Sequence, residues 1–578
     1  MKYKSLRLIG GAGTGKTTKL MEIIDKLIDS GIDIEHIGFA SFTKAARLEA
    51  VDRVCQKHNI QRDRMLDNGY FRTVHAISHA EIRPVRLLTG SKQDQEWLEG
   101  LFGHDNHLDN RGGELGYDCG ISDVGKILQA WGAYRLCLGY ARQADIPMGG
   151  GIDWDKMISF PAWFSQLNTD IGSSYALDVI KKYETHRHLD DVDDFTSLVG
   201  RYAGIAYDPE GTPRKRRPEG DIPLVDTWLF DEQQDTSPLL DIACRRLCEA
   251  PGLRYVYLAG DPFQSIYGWS GASSRCFMGW EVDQEHVMPK SYRCCPEIHY
   301  LGERILQDCP DYWDRGIAPA DHDGFVEEKN YGIPSVVNVV DADEEWLVLA
   351  RTVREASTLL TRLRDQWPDH HIGWATRESE ALGREKRAAL ALATLRAGEM
   401  IDGEMLSDIA HAVPVKLGHF AKGTRKRLED DHERETLGLF SLRTIEEDVY
   451  DPFQSADFVV TKPDYAATDT FLATIRSDQW TEGFGDKMAG ELKKIEKGGL
   501  HIYDKPGVRV STIHGAKGMG AENVAYLATT TRRIKDECEN NPDAAAEEAR
   551  VRYVAVTRAK SRLVIAHPPK GFRVDIPT

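Results

Sequence analysis

No run of eighteen apolar residues occurs anywhere in the chain, which excludes a membrane-spanning helix of ordinary length. A charged leader followed by an apolar segment is also missing ahead of the first strand-like stretch. Neither export nor membrane insertion is therefore expected, and the cytoplasm is the expected location. Cysteine is sparse, ten in 578 residues, with no paired C-x-x-C spacing. Cys244 with Cys248, and the adjacent Cys294 and Cys295, read as packed or partly exposed thiols rather than metal ligands. Cationic excess is lacking too, since 73 Lys and Arg face 91 Asp and Glu for a net charge of −18. That balance does not exclude a nucleic-acid partner, because charges are screened beyond about 8 Å at physiological salt and a basic groove acts locally. Two clusters, one at Arg214, Lys215, Arg216 and Arg217 and the other at Lys422, Arg425, Lys426 and Arg427, are either such a surface or solvated loops.

What is present begins with "RLIGGAGTGKTTKL". Gly10, Gly15, Lys16 and Thr17 satisfy G-x-x-x-x-G-K-[ST], with the apolar Leu6, Leu8 and Ile9 ahead of them as a strand. Leu20, Ile23, Ile24 and Leu27 follow at helical spacing. The backbone of Gly10, Gly11, Ala12, Gly13, Thr14, Gly15 and Thr18 can curl round the β- and γ-phosphates, Lys16 can neutralise them, and Thr17 can ligate Mg²⁺ at a helix N-terminus. Downstream, "DTWLFDEQQD" runs an apolar strand into Asp231 and Glu232. The two carboxylates have separate tasks: Asp231 holds Mg²⁺ through water, and Glu232 orients and deprotonates the attacking water. Another strand in "LAGDPFQSIYGWSGA" ends near Gln264, placed to sense a γ-phosphate, and then carries Tyr267 and Trp269. Those rings are either core aromatics or a stacking platform for bases.

Read together, "GGAGTGKTT", "FASFTKAA", "FRTVHAIS", "DEQQDTS", "GDPFQSIYGWSGA", "SYRCCPEI", "VSTIHGAKGMGAENV" and "EEARVRYVAVTRAK" resemble, in order, the motifs of superfamily 1 DNA helicases, nearest to the UvrD/Rep/PcrA group (superfamily 1A). The resemblance implies an α/β fold of two RecA-like P-loop NTPase domains with parallel sheets, each carrying a mainly helical insertion, and ATP in the cleft between them. It also implies an ATP-dependent helicase that moves 3′ to 5′ on single-stranded DNA, acts at single-strand/duplex junctions, and works beside replication or repair proteins. By the same resemblance Arg293 and Arg558 are arginine fingers and Tyr292 stacks on adenine. Thr43, Phe71, His75, Thr512 and His514 then line the DNA channel together with Tyr267 and Trp269.

The gaps between motifs predict the organisation. Residues 1–78 and 190–285 form the first core domain, with 79–189 as its insertion; residues 286–365 and 506–578 form the second, with 366–505 as its insertion. "VGKILQAWGAYRLCLGYARQ" reads as an insertion helix, "VDDFTSLVG" as the re-entry into the first core, and "WLVLARTVREA" as a strand of the second ending at Arg351. Some positions depart from the family pattern. Only nine residues precede Gly10, so the adenine-reading upstream glutamine motif is not expected. Ser270 stands where the family places Arg, and Gly520 where it places a ribose-binding Glu, leaving Glu522 as the substitute. Two other readings of the function stay open: a translocase that displaces bound proteins without useful unwinding, and a non-catalytic DNA-binding scaffold with a relic ATP site. About eighteen residues follow "AVTRAK", too few for a nuclease domain.

Overall fold

The computed structural model describes residues 3–576, apart from isolated positions and short stretches and the longer runs 110–117, 376–383, 429–468 and 499–506. Its core is two six-stranded sheets in which every paired neighbour is parallel. The first is built from β1 (Lys4–Ile9), β2 (Ile37–Ala40), β3 (Tyr70–Arg72), β4 (Thr227–Phe230), β5 (Tyr255–Gly260) and β6 (Gln284–Val287), in the order β6-β1-β5-β4-β2-β3. The second uses β7 (Phe325–Lys329), β8 (Trp346–Ala350), β9 (Ile372–Trp374), β10 (Val508–Thr512), β11 (Ala521–Leu527) and β12 (Ala559–Ala566), in the order β7-β12-β11-β8-β10-β9.

Sequence explains why the central strands are central. "TWLF" in β4 and "WLVLA" in β8 are buried at every position, as expected of parallel strands covered on both faces. Trp228 of β4 lies opposite Gly38 of β2, and a Cβ at Gly38 would fall 2.3 Å from the indole, so only glycine lets the ring cross its neighbour. The expected end of β8 at Arg351 lies one residue late: the strand closes at Ala350, and the Arg351 guanidinium leaves the sheet to pair with Glu548 at 3.1 Å.

Between β3 and β4 the chain is largely helical. The expected insertion helix forms as Asp123–Leu136, with Ser122 accepting from the Gly125 N–H as its cap, and it packs Trp131 and Tyr134 against Phe160 in a separate apolar cluster. The re-entry segment forms a two-residue strand, Val192–Asp193, followed by the helix Phe195–Ala203. Between β9 and β10 the helices Arg384–Arg396, Gly403–Ala412 and Asp486–Gly498 gather round a further cluster that includes Leu392, Ile409 and Leu492.

Part of each basic cluster is engaged locally. Arg214 pairs with Asp208 at 2.7 Å, Arg216 with Glu219, and Arg425 donates to the Ala410 carbonyl at the end of its neighbouring helix at 2.7 Å. Cys244, Cys248, Cys294 and Cys295 are buried thiols. Among the described residues no helix is long and apolar enough to cross a membrane, and no group of three His, Cys, Asp or Glu side chains is arranged to hold a metal.

Register brings the chemistry together. Ile9 pairs with Gly260, and Phe230 with both Leu258 and Ala40, so the segments after β1, β2, β4 and β5 all emerge at one carboxyl edge of the first sheet. In open α/β sheets that edge is where ligands bind.

Candidate active site and nucleic-acid cleft

The loop after β1 turns through Gly13 and Gly15, both with positive φ, and delivers Lys16 and Thr17 to the start of the helix Lys16–Asp29. Lys16 Nζ donates to the Gly10 and Gly11 carbonyls at 2.9 and 3.4 Å, which holds the ammonium over the loop. Thr14 Oγ1 donates to Gly11 O at 3.0 Å and tightens the turn. Thr18 is the third residue of the same helix, its Cβ 3.9 Å from a Cβ built at Gly15.

Thr17 Oγ1 donates to Asp231 Oδ2 at 2.7 Å, so the loop and the end of β4 meet side chain to side chain. One hydroxyl and one carboxylate suit Mg²⁺, which keeps several waters and takes phosphate oxygens for the rest of its shell. Burial, with the Glu232 charge adjacent, pushes the Asp231 carboxyl up to about 6. Burial acts on Glu232 in the same sense, but Lys16, Lys517, the Gln234 hydrogen bond and Arg558 outweigh it and hold that carboxyl below its usual range. Glu232 is thus ionised at neutral pH, as a general base must be. Its backbone sits at φ 52°, a left-handed conformation that is strained for a non-glycine residue, and Gln234 Nε2 donates to Oε2 at 2.6 Å.

Gln264 is gripped at both ends of its amide. Nε2 donates to Asp261 Oδ2 at 2.8 Å, and Oε1 accepts from Arg558 Nη2 at 3.2 Å. Arg558 comes from the second sheet's half, immediately ahead of β12, and is only 1 % exposed. Burial, with Arg293 nearby, pushes its guanidinium down from the ordinary range, and the Val554 and Met519 carbonyls hold it beside Gln264. Arg293 reaches the same place: a Cβ at Gly13 would fall 2.2 Å from Arg293 Cβ, and the Tyr292 N–H donates to Gly13 O at 2.9 Å. The Tyr292 ring is 71 % exposed. Glu522 is at the surface with its carboxylate bonded to Ser561, and Gly520 lies instead against Arg293, its built Cβ 3.1 Å from Nε.

Beside this lies a cleft of about 1360 Å³ lined by both halves and by the 79–189 segment. His75, Tyr267 and Trp269 are on its wall, joined by Phe42, which stacks on Tyr267 with ring centres 5.8 Å apart. Trp269 is 56 % exposed and edge-on to Tyr267, an available face rather than a core ring. Burial pushes His75 down to about 4, and burial with Arg351 nearby pushes His514 down to about 4, so both are neutral at physiological pH. The lining sets Lys126, Arg142 and Arg533 among Asp123, Asp170 and Glu537, so it is no basic groove, and neither basic cluster is on it.

Other expected DNA contacts fall elsewhere. Phe71 is fully buried in β3 and stacks on Phe39 with centres 5.5 Å apart; an inward strand position makes it a core residue, which corrects its assignment to the channel. Thr512 Oγ1 accepts from the Gly515 N–H at 3.1 Å and closes the turn after β10, while the His514 carbonyl accepts from the Tyr267 hydroxyl at 3.1 Å. Neither is on the cleft lining. Ser270 Oγ donates to Tyr267 O at 2.8 Å, a turn-closing role. Thr43 lies outside the described residues.

Several participants were not singled out from sequence. Gln234 joins β4 to β5 by accepting from the Asp261 N–H at 3.0 Å while holding Glu232. Lys517, inside a quoted motif, crosses from the second half to pair with buried Asp235. Tyr553 and Arg315 meet Asp261 at the floor of the site. The motif strings contained Gln234, Lys517 and Tyr553; Arg315 lies in an irregular segment with no periodic signal.

The chain matches the family model for the UvrD/REP helicase N-terminal domain over residues 2–99 and 164–284, and that for the UvrD-like helicase C-terminal domain over residues 487–568. Comparison with the curated proteins finds no match. Two parallel α/β sheets, the loop and carboxylates at the edge of one, cations from the other and the two family models converge: the chain belongs to the UvrD/Rep-type superfamily 1 helicases.

Proposed function

We propose that this protein hydrolyses ATP to move along single-stranded DNA, 3′ to 5′, and thereby opens duplex DNA at single-strand/duplex junctions. The observation that carries the reading is that Arg558 and Arg293, from the second half, lie against Gln264 and Gly13 of the first. Cations supplied across a cleft couple phosphate chemistry to relative movement of the halves.

Each residue then has a task. The loop from Gly10 to Thr18 and Lys16 bind the phosphates, and Thr17 and Asp231 would hold Mg²⁺, whose charge offsets that of the β- and γ-oxygens. Glu232 orients the attacking water and takes its proton, while Gln264, Arg293 and Arg558 stabilise the transferring phosphoryl group. The exposed Tyr292 ring supports the base. Hydrolysis cuts the γ-phosphoryl group from ADP, and once that phosphate leaves, the cations lose the anion they share and the halves part. The face of Trp269, with Tyr267 and Phe42 beside it, offers sequence-independent stacking to a strand in the cleft, the grip such a motor needs.

The test is ATP turnover with and without single-stranded DNA, followed by strand separation. DNA-stimulated turnover with unwinding supports the reading. DNA-stimulated turnover that displaces a bound protein block but separates no strands replaces it with a translocase, and absence of turnover replaces it with a scaffold.

A further inference from the structure

Arg315 is a buried charge outside the sequence motifs. Its side chain is 1 % exposed, in the irregular segment after the helix Pro296–Leu306, where a guanidinium needs anionic partners; both Nη groups have them, while Nε makes no hydrogen bond among the described residues. Nη1 donates to Asp261 Oδ1 at 2.7 Å; Nη2 donates to Glu303 Oε1 at 2.6 Å and to the Tyr553 hydroxyl at 3.3 Å. The plane also lies over Phe263, 4.9 Å from the ring centre. Glu303 and Tyr553 belong to segments packed on the second sheet, and Asp261 follows β5 of the first, so Arg315 joins the halves through a buried ion pair.

Asp261 is a node. Oδ1 accepts from the Phe263 N–H and Arg315, Oδ2 accepts from Gln264 Nε2 and the Tyr553 hydroxyl, and its own N–H reaches Gln234. The Tyr553 hydroxyl in turn accepts from the Ala12 N–H at 3.3 Å, and a Cβ at Gly11 would come within 3.3 Å of that hydroxyl. An unbroken line of hydrogen bonds therefore runs from the phosphate loop through Tyr553 and Asp261 to Gln264 and on to Arg558. Tyr553 is in the helix Pro542–Val556 and Arg558 stands two residues beyond its end, so both bonds to the first half come from one continuous segment.

We propose that Arg315, acting with Tyr553, is a positioning residue for ATP hydrolysis: it fixes the Asp261 carboxylate, which orients the Gln264 amide and through it the arginine finger Arg558. This rests on the ATPase reading above. Without Arg315 the buried Asp261 carboxylate keeps its bonds from the Phe263 N–H, Gln264 and Tyr553 but loses its counter-charge, so the group that sets which end of the Gln264 amide faces Arg558 is no longer held as an anion in one place. The line touches the phosphate loop only through the Ala12 N–H and ends at Gln264 and Arg558, which the ATPase reading assigns to the transferring phosphoryl group, so the loss is expected on the transition state more than on ATP binding.

The experiment measures DNA-stimulated steady-state turnover by the full chain, with thermal melting of each variant. Tyr553→Phe and Arg315→Lys are expected to lower kcat by about tenfold while KM for ATP changes by less than about threefold, with a cooperative melting transition retained. Placed in a Gln264→Ala background, each should lower kcat by less than about twofold further, because the effect passes through that amide. Variants with kcat within about twofold of the unsubstituted protein, or with the same fractional loss in the Gln264→Ala background, overturn the assignment. Should Arg315→Lys fail to melt cooperatively, Tyr553→Phe, which deletes one oxygen, decides the matter. An unsubstituted protein without ATP turnover overturns the functional reading and this assignment with it; normal turnover with inert variants overturns this assignment alone.

Discussion

Arg558 Nη2 donates to Gln264 Oε1 across 3.2 Å, and with that bond a cation from one half of the molecule reaches the amide of the other that we propose senses the γ-phosphate. Removing the guanidinium takes away charge needed only as the γ-phosphoryl group transfers. Arg558→Ala should lower kcat by about 10²-fold or more with nucleotide affinity nearly kept. Comparing turnover with equilibrium binding of a fluorescent ADP analogue checks this; parallel loss of both would point to a ground-state role.

Lys16 and Glu232 should fail in different ways. Lys16→Ala weakens phosphate binding, whereas Glu232→Gln keeps the shape of the site but has no base, so ATP stays bound and uncleaved. Both should still bind single-stranded DNA. Near-normal turnover in Glu232→Gln would remove it as the base.

Trp269 separates grip from motor. With a face open to the cleft and no part in the phosphate network, Trp269→Ala should cost roughly 1 to 3 kcal/mol of single-strand affinity and uncouple ATP use from movement, leaving basal turnover in place. Fluorescence anisotropy with a labelled oligonucleotide reads the first effect and a translocation assay the second. Unchanged affinity would return Trp269 to an ordinary surface ring.

Glu547 lies under the aromatic loop, its Oε1 accepting from the Gly268 N–H at 3.0 Å, and burial pushes its carboxyl up to about 7. The folded state therefore takes up the proton more readily than the unfolded chain. Stability from this group is fully present below the unfolded value near 4.5 and is lost as pH rises through about 7. Glu547→Gln, neutral throughout, should melt progressively higher than the unsubstituted protein as pH goes from about 5 to about 8. A melting difference that stays flat over that range would show the carboxylate to be compensated.

Polarity is read with duplexes carrying either a 3′ or a 5′ single-stranded tail at limiting enzyme. The aromatic "QSIYGWSGA" form and "RYVAVTRAK" favour 3′ to 5′, so the 3′-tailed substrate should open. Opening of the 5′-tailed substrate alone would reverse the assigned direction.

Local sequence determined the parts whose chemistry is local. A phosphate loop is a run of backbone N–H groups, a lysine and a hydroxyl within nine residues, and β4 with its two carboxylates is a short apolar run with a polar end; both are legible because spacing along the chain is spacing in space. The helix Lys16–Asp29 and the insertion helix follow from periodicity for the same reason. Tertiary structure alone decided what depends on contacts between distant segments. Phe71 has the composition of a stacking residue, and only the pairing of β3 beside β2 turns it into the core. The cationic clusters look alike in a string, yet the fold pairs Arg214 with Asp208 and Arg216 with Glu219, ties Arg425 to the Ala410 carbonyl, and places both clusters away from the aromatic cleft. Arg315 shows the limit most plainly. Nothing in "DYWDRG" distinguishes it from a solvated arginine; its role comes from Asp261 and Tyr553, 54 and 238 positions away, because a buried charge takes its function from the partners the fold brings to it.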